Sequence, residues 1–222
     1  MGDFTRPDPD NQYVFPIAKP GFYFIIAAAF ATAVFALVGA APIALTGLAV
    51  TFFICWFFRD PDRVVPMYEG AVVSPADGRV IIVAPVNESP FVVGNCIKIS
   101  IFMSVFNVHV NRIPHEGKVK GIRYFPGKFF SANLDKASKE NEYNAVLIET
   151  DKGNAVCMVQ IAGLIARRII CRLKEGDFVR RGERFGMICF GSRLDVYLPA
   201  DAKISVTVGN RVKAGSSILG YI

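Results

Sequence analysis

Two regimes of hydrophobicity divide the chain. Between Phe22 and Phe58 apolar residues run without one charge, through GFYFIIAAAFATAVFALVGAAPIALTGLAVTFFICWFF. That run exceeds the roughly 20 residues needed by one membrane-spanning helix. GAAP, Gly39 to Pro42, interrupts it, since glycine and proline both punctuate helices. The pattern predicts an apolar helical hairpin over 21–58, with two helices of about 17 residues each, near the lower limit for spanning. Residues 1–20 are polar and rich in proline, and read as a loose amphiphilic leader.

After Arg59 the period changes. GRVIIVAPV, CIKISIFMSV, KVKGIRYF, NAVLIET, NAVCMVQIAG, RRIICRL, RFGMICF, RLDVYLP and KISVTV follow one another. They are rich in Val and Ile and separated by Gly, Pro, Asn and Asp, as strands and their turns are. Helical spacing recurs only around Asn133–Glu142. The segment 59–222 is therefore expected to be a mainly β (α+β) domain. An internal echo pairs Val179-Arg-Arg-Gly182 with Val212-Lys-Ala-Gly215. Each reads as strand, tight glycine turn and strand, and the two resemble the half-motifs of lipoyl and biotinyl carrier domains.

Composition narrows the partners. Hydrophobic residues make up 52% of 222 positions, and the excess sits in the apolar run. The formal net charge of +6 suits nucleic acid or an anionic membrane surface. The basic residues are scattered and no nucleic-acid motif occurs, so a membrane surface is the expected partner. Arg6 and Lys19 flank one side of the hairpin, Arg59 and Arg63 the other. Positive residues on both flanks favour a hairpin with both ends in the cytoplasm, spanning the membrane or only dipping into it; the alternative is a helical pair buried in a globular core. The run is too long for a cleaved signal peptide. The five cysteines form no CxxC pair, which argues against a disulfide framework or a zinc site. Reduced, buried thiols and no metal are expected.

Candidate chemistry is sparse. Only two histidines occur. His109 alternates with Val108 and Val110 in FMSVFNVHVNRIP, while His115 in PHEG reads as a surface loop residue. A lone histidine is a proton shuttle or a structural residue. SPADGRV, Ser74 to Val80, is a turn, in which Asp77 either caps the bend or orients an imidazole. FGSRLDVYLP, Phe190 to Pro199, has a Gly-Ser pair at the mouth of a strand. The hydrolase pattern GxSxG is absent. Instead, the Gly191 carbonyl is open to the hydroxyl of the next residue, since glycine has no side chain to block the attack. The pair suits an intramolecular N-to-O acyl shift. A second pair, Gly215-Ser216, reads as ordinary turn chemistry.

SPADGRV, FMSVFNVHVNRIP, PGKFFSANLDKASKENEYN and FGSRLDVYLP, in this order, resemble the phosphatidylserine decarboxylase proenzymes in their short membrane-associated form. The resemblance runs from about Arg59 to the C-terminus, and the apolar hairpin is also like that family. It implies self-cleavage between Gly191 and Ser192, giving a β chain of 1–191 and an α chain of 192–222 that remain associated. Ser192 becomes a pyruvoyl group, which forms a Schiff base with phosphatidylserine in the bilayer and releases phosphatidylethanolamine. Asp77 and His109 belong to the machinery by the same match. Many relatives carry a second histidine where this chain has Arg112; arginine cannot be a general base but can bind a phosphate or carboxylate. Tyr143 also departs from the usual arginine and is given no role. Gly127–Ser138 reads either as a loop over the headgroup or as a solvated surface loop. The expected location is the cytoplasmic face of the cell membrane, with homo-oligomerisation open. Two rivals stand: the same chemistry on an ether-linked serine phospholipid, and a non-enzymatic membrane-anchored carrier module. The carrier reading needs a lysine at a hairpin tip, and Gly186-Met187-Ile188 offers none.

Overall fold

The computed structural model describes residues 4–5, 16–91, 93–128, 130, 140–163, 168–189 and 192–222. The chain divides into two units, one of residues 11–62 and one of residues 1–10 with 63–222.

The first unit is a helical hairpin of α1 (Gly21–Leu37) and α2 (Ala41–Phe57). Gly39, at φ +77°, makes the reversal, a backbone region that favours glycine. Pro42 occupies the first turn of α2, where its missing N–H has no helical partner to lose. The helices touch at Gly47, where an added Cβ would lie 2.6 Å from Thr32 Oγ1. Thr32 and Thr51 hydroxyls turn back to donate to the carbonyls of Ala28 and Gly47, 2.8 Å each. Large apolar side chains point outward all round: Tyr23 is 82% exposed, Phe30 71% and Leu37 87%. Each helix has 17 residues. At 1.5 Å per residue that is about 26 Å, short of the roughly 30 Å hydrocarbon core. No helix among the described residues is long and apolar enough to cross a membrane.

The second unit is mainly β. Its strands are β1 (Phe4–Thr5), β2 (Val65–Pro66), β3 (Ala71–Val73), β4 (Gly78–Glu88), β5 (Val93–Met103), β6 (Val110–Arg112), β7 (Gly117–Phe125) and β8 (Tyr143–Glu149). Then come β9 (Ala155–Ala162), β10 (Ile169–Cys171), β11 (Phe178–Val179), β12 (Arg184–Ile188), β13 (Ser192–Pro199), β14 (Lys203–Ile204), β15 (Arg211–Val212) and β16 (Ile218–Tyr221). An eight-stranded sheet runs β11-β7-β8-β9-β13-β5-β4-β15. Three-stranded sheets β10-β12-β6 and β14-β16-β3 accompany it. Bulges in the β4–β5 and β7–β8 pairings bend the large sheet.

β13 is central, hydrogen-bonded to β5 on one side and β9 on the other. Its alternation sends Leu194, Val196 and Leu198 into the main core with Ile99, Ile101 and Met158. Arg193, Asp195 and Tyr197 take the opposite face.

Both glycine turns of the internal echo form, but each carries the chain from one sheet to another, and the flanking strands do not pair as a hairpin. Gly182 has φ +79° between β11 and β12, and Gly215 has φ +72° between β15 and β16. The two turns meet, since a Cβ on Gly215 would lie 3.6 Å from the Gly182 Cα and 2.9 Å from Arg112 Cδ. The expected strand KISVTV is shorter, ending at Ile204. Asn210 accounts for this: its Oδ1 accepts the Thr207 N–H at 3.0 Å, and the Asn210 N–H donates back to Thr207 O. Such local side-chain bonds compete with a ladder. The helical spacing expected over Asn133–Glu142 falls mostly on 131–139, outside the described residues.

Candidate active site

Ser192 opens β13 and is fully buried. It faces Met103 of β5 and Ala162 of β9. Its hydroxyl donates to the Met103 thioether at 3.4 Å. Asn111 Nδ2 donates to the same sulfur at 3.9 Å. Asn111 Oδ1 accepts from Gln160 Nε2 at 2.9 Å, and Gln160 Oε1 accepts from Asn144 at 3.0 Å. A chain of buried amides thus ends at the serine. Buried polar groups persist only when satisfied, so this chain orders the surroundings of the serine. Gly191, the other member of the predicted scissile pair, lies outside the described residues.

His109 immediately precedes β6 and is also fully buried. β6 pairs with β12, and the Ile188 N–H donates to His109 O at 3.4 Å. The histidine therefore lies beside the end of the strand that leads into Ser192. Its Nδ1 is 2.9 Å from the Asn107 carbonyl. A carbonyl only accepts, so Nδ1 carries the hydrogen, and in the neutral ring the lone pair sits on Nε2. The Asn107 side chain fixes this loop in turn, accepting from the backbone N–H and the hydroxyl of Ser104 at 2.8 Å each.

Asp77 closes the SPADG bend just before β4. Gly78 continues the β4–β5 register to the level of Met103, the partner of Ser192. A Cβ on Gly78 would lie 2.2 Å from the Phe102 carbonyl, so only glycine permits this approach. With one strand between them, the backbones at Gly78 and Ser192 stand about 10 Å apart. The bend also lies along the His109 segment: Val73 N–H donates to Pro114 O and Arg112 N–H to Pro75 O, 2.9 Å each. Both carboxylate oxygens of Asp77 are engaged. Arg63 Nη2 reaches Oδ2 at 2.8 Å, and the Ala214 N–H reaches Oδ1 at 2.7 Å. Ser192, His109 and Asp77 thus share one end of the β unit, although the bonds made by Asp77 go to Arg63 and Ala214.

Arg112 is buried, with Nη1 donating to the Gly182 carbonyl at 2.9 Å. It braces the two packed glycine turns. His115 is buried rather than on the surface: its Nδ1 bonds the Glu116 carbonyl at 2.8 Å, and it lines a narrow cleft with Tyr68, Gly70 and Ile222. Glu116 receives Arg181 bidentately at 2.9 and 2.6 Å. Burial pushes the Glu116 carboxyl up, but the Arg181 hydrogen bond, its own backbone N–H and the His115 charge hold it below its ordinary value.

Residues next to the serine on the other sheet face form a buried ionic cluster. Arg193 gives Nε and Nη2 to Asp195 at 2.6 and 3.1 Å, and Nη2 also reaches Ser100 Oγ at 2.8 Å. Lys98 Nζ lies 3.1 Å from Asp195. Arg193 Nη1 is buried without a partner. Nearby Cys189 is no rival nucleophile: burial pushes its thiol up, only partly offset by Arg168. The five cysteines are free thiols, and no metal-binding group of side chains occurs among the described residues.

Sequence reasoning missed the Met103 contact, the Asn111–Gln160–Asn144 chain and the Ala214 donor. A signal existed for the amides, since Gln160 interrupts the apolar run VCMVQIA at a buried position.

The family model for phosphatidylserine decarboxylase matches residues 50–220. A protein of Syntrophus aciditrophicus named phosphatidylserine decarboxylase proenzyme is 55% identical over 206 residues, covering 92% of this chain and 96% of that protein. One of the same name from Geotalea uraniireducens is 49% identical over 93% of this chain and 97% of its own length. Another, from Cupriavidus metallidurans, is 52% identical over 77% of this chain and 78% of its own. With matches of this extent, and a serine, a histidine and an aspartate gathered at one end of the sheet, the chain belongs to the phosphatidylserine decarboxylase family.

Proposed function

We propose that this chain is a self-cleaving proenzyme that decarboxylates phosphatidylserine to phosphatidylethanolamine with a pyruvoyl group made from Ser192. The observation that carries this reading is the buried Ser192 hydroxyl at the head of a central strand, on the end that bears His109 and Asp77. The cut falls between Gly191 and Ser192.

His109 Nε2, with Nδ1 held by the Asn107 carbonyl, takes the hydroxyl proton. The Ser192 oxygen adds to the Gly191 carbonyl, and the peptide C–N bond opens to an ester. Removal of the Ser192 α-proton then expels the Gly191 carboxylate. The dehydroalanine left behind tautomerises, takes up water and loses ammonia to become a ketone. Asp77 supports the charge gained by His109 from a distance rather than touching Ser192. The site fits the product: the Met103 thioether, a weak acceptor for the hydroxyl, is an equally good neighbour for the methyl that replaces it. Once formed, the pyruvoyl group supplies an electron sink for the breaking C–CO2 bond. His109 then returns a proton to the substrate carbon.

The fragment 192–222 stays bound because β13 is hydrogen-bonded on both sides. The helical hairpin, apolar on every face, inserts into the bilayer that holds the substrate. Arg59 lies over the Trp56 ring at 4.3 Å, an arrangement suited to the headgroup level on the cytoplasmic face.

Denaturing electrophoresis with intact mass tests the cut. Two chains are expected, the smaller starting at position 192 with a ketone-reactive end, whereas Ser192→Ala stays whole. Cleavage of Ser192→Ala at the same bond refutes self-processing by this serine. CO2 release from phosphatidylserine vesicles, compared with free serine, tests the substrate; preference for free serine defeats the lipid assignment.

A further inference from the structure

The second Gly-Ser turn, Val212 to Ser217, lies beyond the cut in sequence but against the machinery in space. β15 pairs Val212 with Gly78 and Arg211 with Arg79, at the start of β4. The turn then grips the SPADG bend through three short bonds. Gly215 N–H donates to Ser74 O, Ser74 N–H donates to Ser217 O, and Ala214 N–H donates to Asp77 Oδ1, each at 2.7 Å. Its own shape is held by Lys213 N–H on Ser217 Oγ at 2.9 Å and by Gly215 at φ +72°. Asp77 thus has one oxygen set by Arg63 and the other by a backbone donor from the future small fragment.

We propose that Ala214 is a positioning residue for Asp77, and that the turn 212–217 completes the self-cleaving machinery. This rests on the self-cleavage reading above. Until residues 212–217 have folded back onto SPADG, Asp77 lacks one of its two holds and the cut at 191/192 is slow. The arrangement makes maturation conditional on a folded 212–217 turn. A hydrogen bond to a charged group contributes enough to change a rate by about tenfold or more when lost.

The test is the first-order rate of self-cleavage of full-length precursor, followed by electrophoresis after synthesis. Ala214→Pro removes the N–H and also fixes φ, and is expected to cleave at least about tenfold more slowly. Ala214→Gly keeps the N–H and restores cleavage. Asn210→Ala, which breaks the neighbouring turn of the same fragment without touching Asp77, serves as the stability control. Slowing by Ala214→Pro beyond that of Asn210→Ala, at matched melting temperature, bears the inference out. Equal slowing in both, or none in Ala214→Pro, overturns it. If Ala214→Pro fails to fold, Ser217→Ala loosens the same turn and faces the same comparison. A parent chain that never cleaves defeats the self-cleavage reading itself, which separates the two failures.

Discussion

The ionic cluster beside the serine offers a sharp energetic test. Asp195→Asn keeps the shape and removes one charge. Arg193, Lys98 and Asp195 sum to one positive charge; without the carboxylate they sum to two, and the Arg193 and Asp195 side chains have no exposure to water. Three contacts lose their ionic acceptor, and Arg193 already has an unpaired Nη1. Removing one partner of a buried pair costs about 3–5 kcal/mol, against about 5–15 kcal/mol of total stability for a domain. The melting temperature should fall by about 6–20 °C. Replacing both ions, as in Arg193→Met with Asp195→Leu, should cost less than the single change, because no charge is left stranded. The assays are thermal unfolding and urea titration of the purified protein. A single variant within about 1 kcal/mol of the parent, or a double variant worse than the single, refutes the idea that this face is held by charge pairing.

Further outcomes follow from the same geometry. His109→Ala should leave the precursor largely uncut after hours on electrophoresis; rapid, complete maturation removes His109 from the proton-transfer role. Glu116 has a folded carboxyl held below the ordinary value of 4.5. Its contribution is therefore present above that pH and is lost as pH falls through the folded value. Glu116→Gln should flatten this acid limb in melting curves taken from pH 6 downward, and an unchanged limb contradicts the assignment. Gly47→Leu drives a side chain into Thr32 and should splay the helical hairpin. Helicity of the isolated unit in detergent, and its binding to anionic vesicles, should both drop; unchanged binding argues that helix packing is irrelevant to insertion.

Much of the β unit was legible because strand burial repeats every second residue. Leu194, Val196 and Leu198 alternate in the sequence and all enter one core. The hairpin was legible from its uncharged length, and both glycine turns from their spacing. The unread parts are those that depend on distant partners. Arg63 and Ala214 stand 14 and 137 residues from the carboxylate they hold, and no local period announces such a meeting. His115 lies in a stretch that looks like a polar loop, and its burial comes from strands and turns elsewhere in the chain. Arg112 was read as an anion binder from its guanidinium alone, and its bond to the Gly182 turn carbonyl, 70 residues away, is a contact that local pattern does not announce. The shortening of KISVTV came from one asparagine amide, a choice that hydrophobic pattern does not register.

The sheet order β9-β13-β5-β4-β15 has a thermodynamic corollary. The piece that the proposed cut releases lies on both sides of the β5–β4 pair, as β13 on one flank and β15 on the other. It cannot leave by peeling from an edge; departure requires dismantling the sheet's middle. Before the cut, reassembly of that middle is a unimolecular event; afterwards it is bimolecular and slows with dilution. Maturation would then act as a ratchet, leaving an enzyme whose denatured halves no longer carry the proximity that built it.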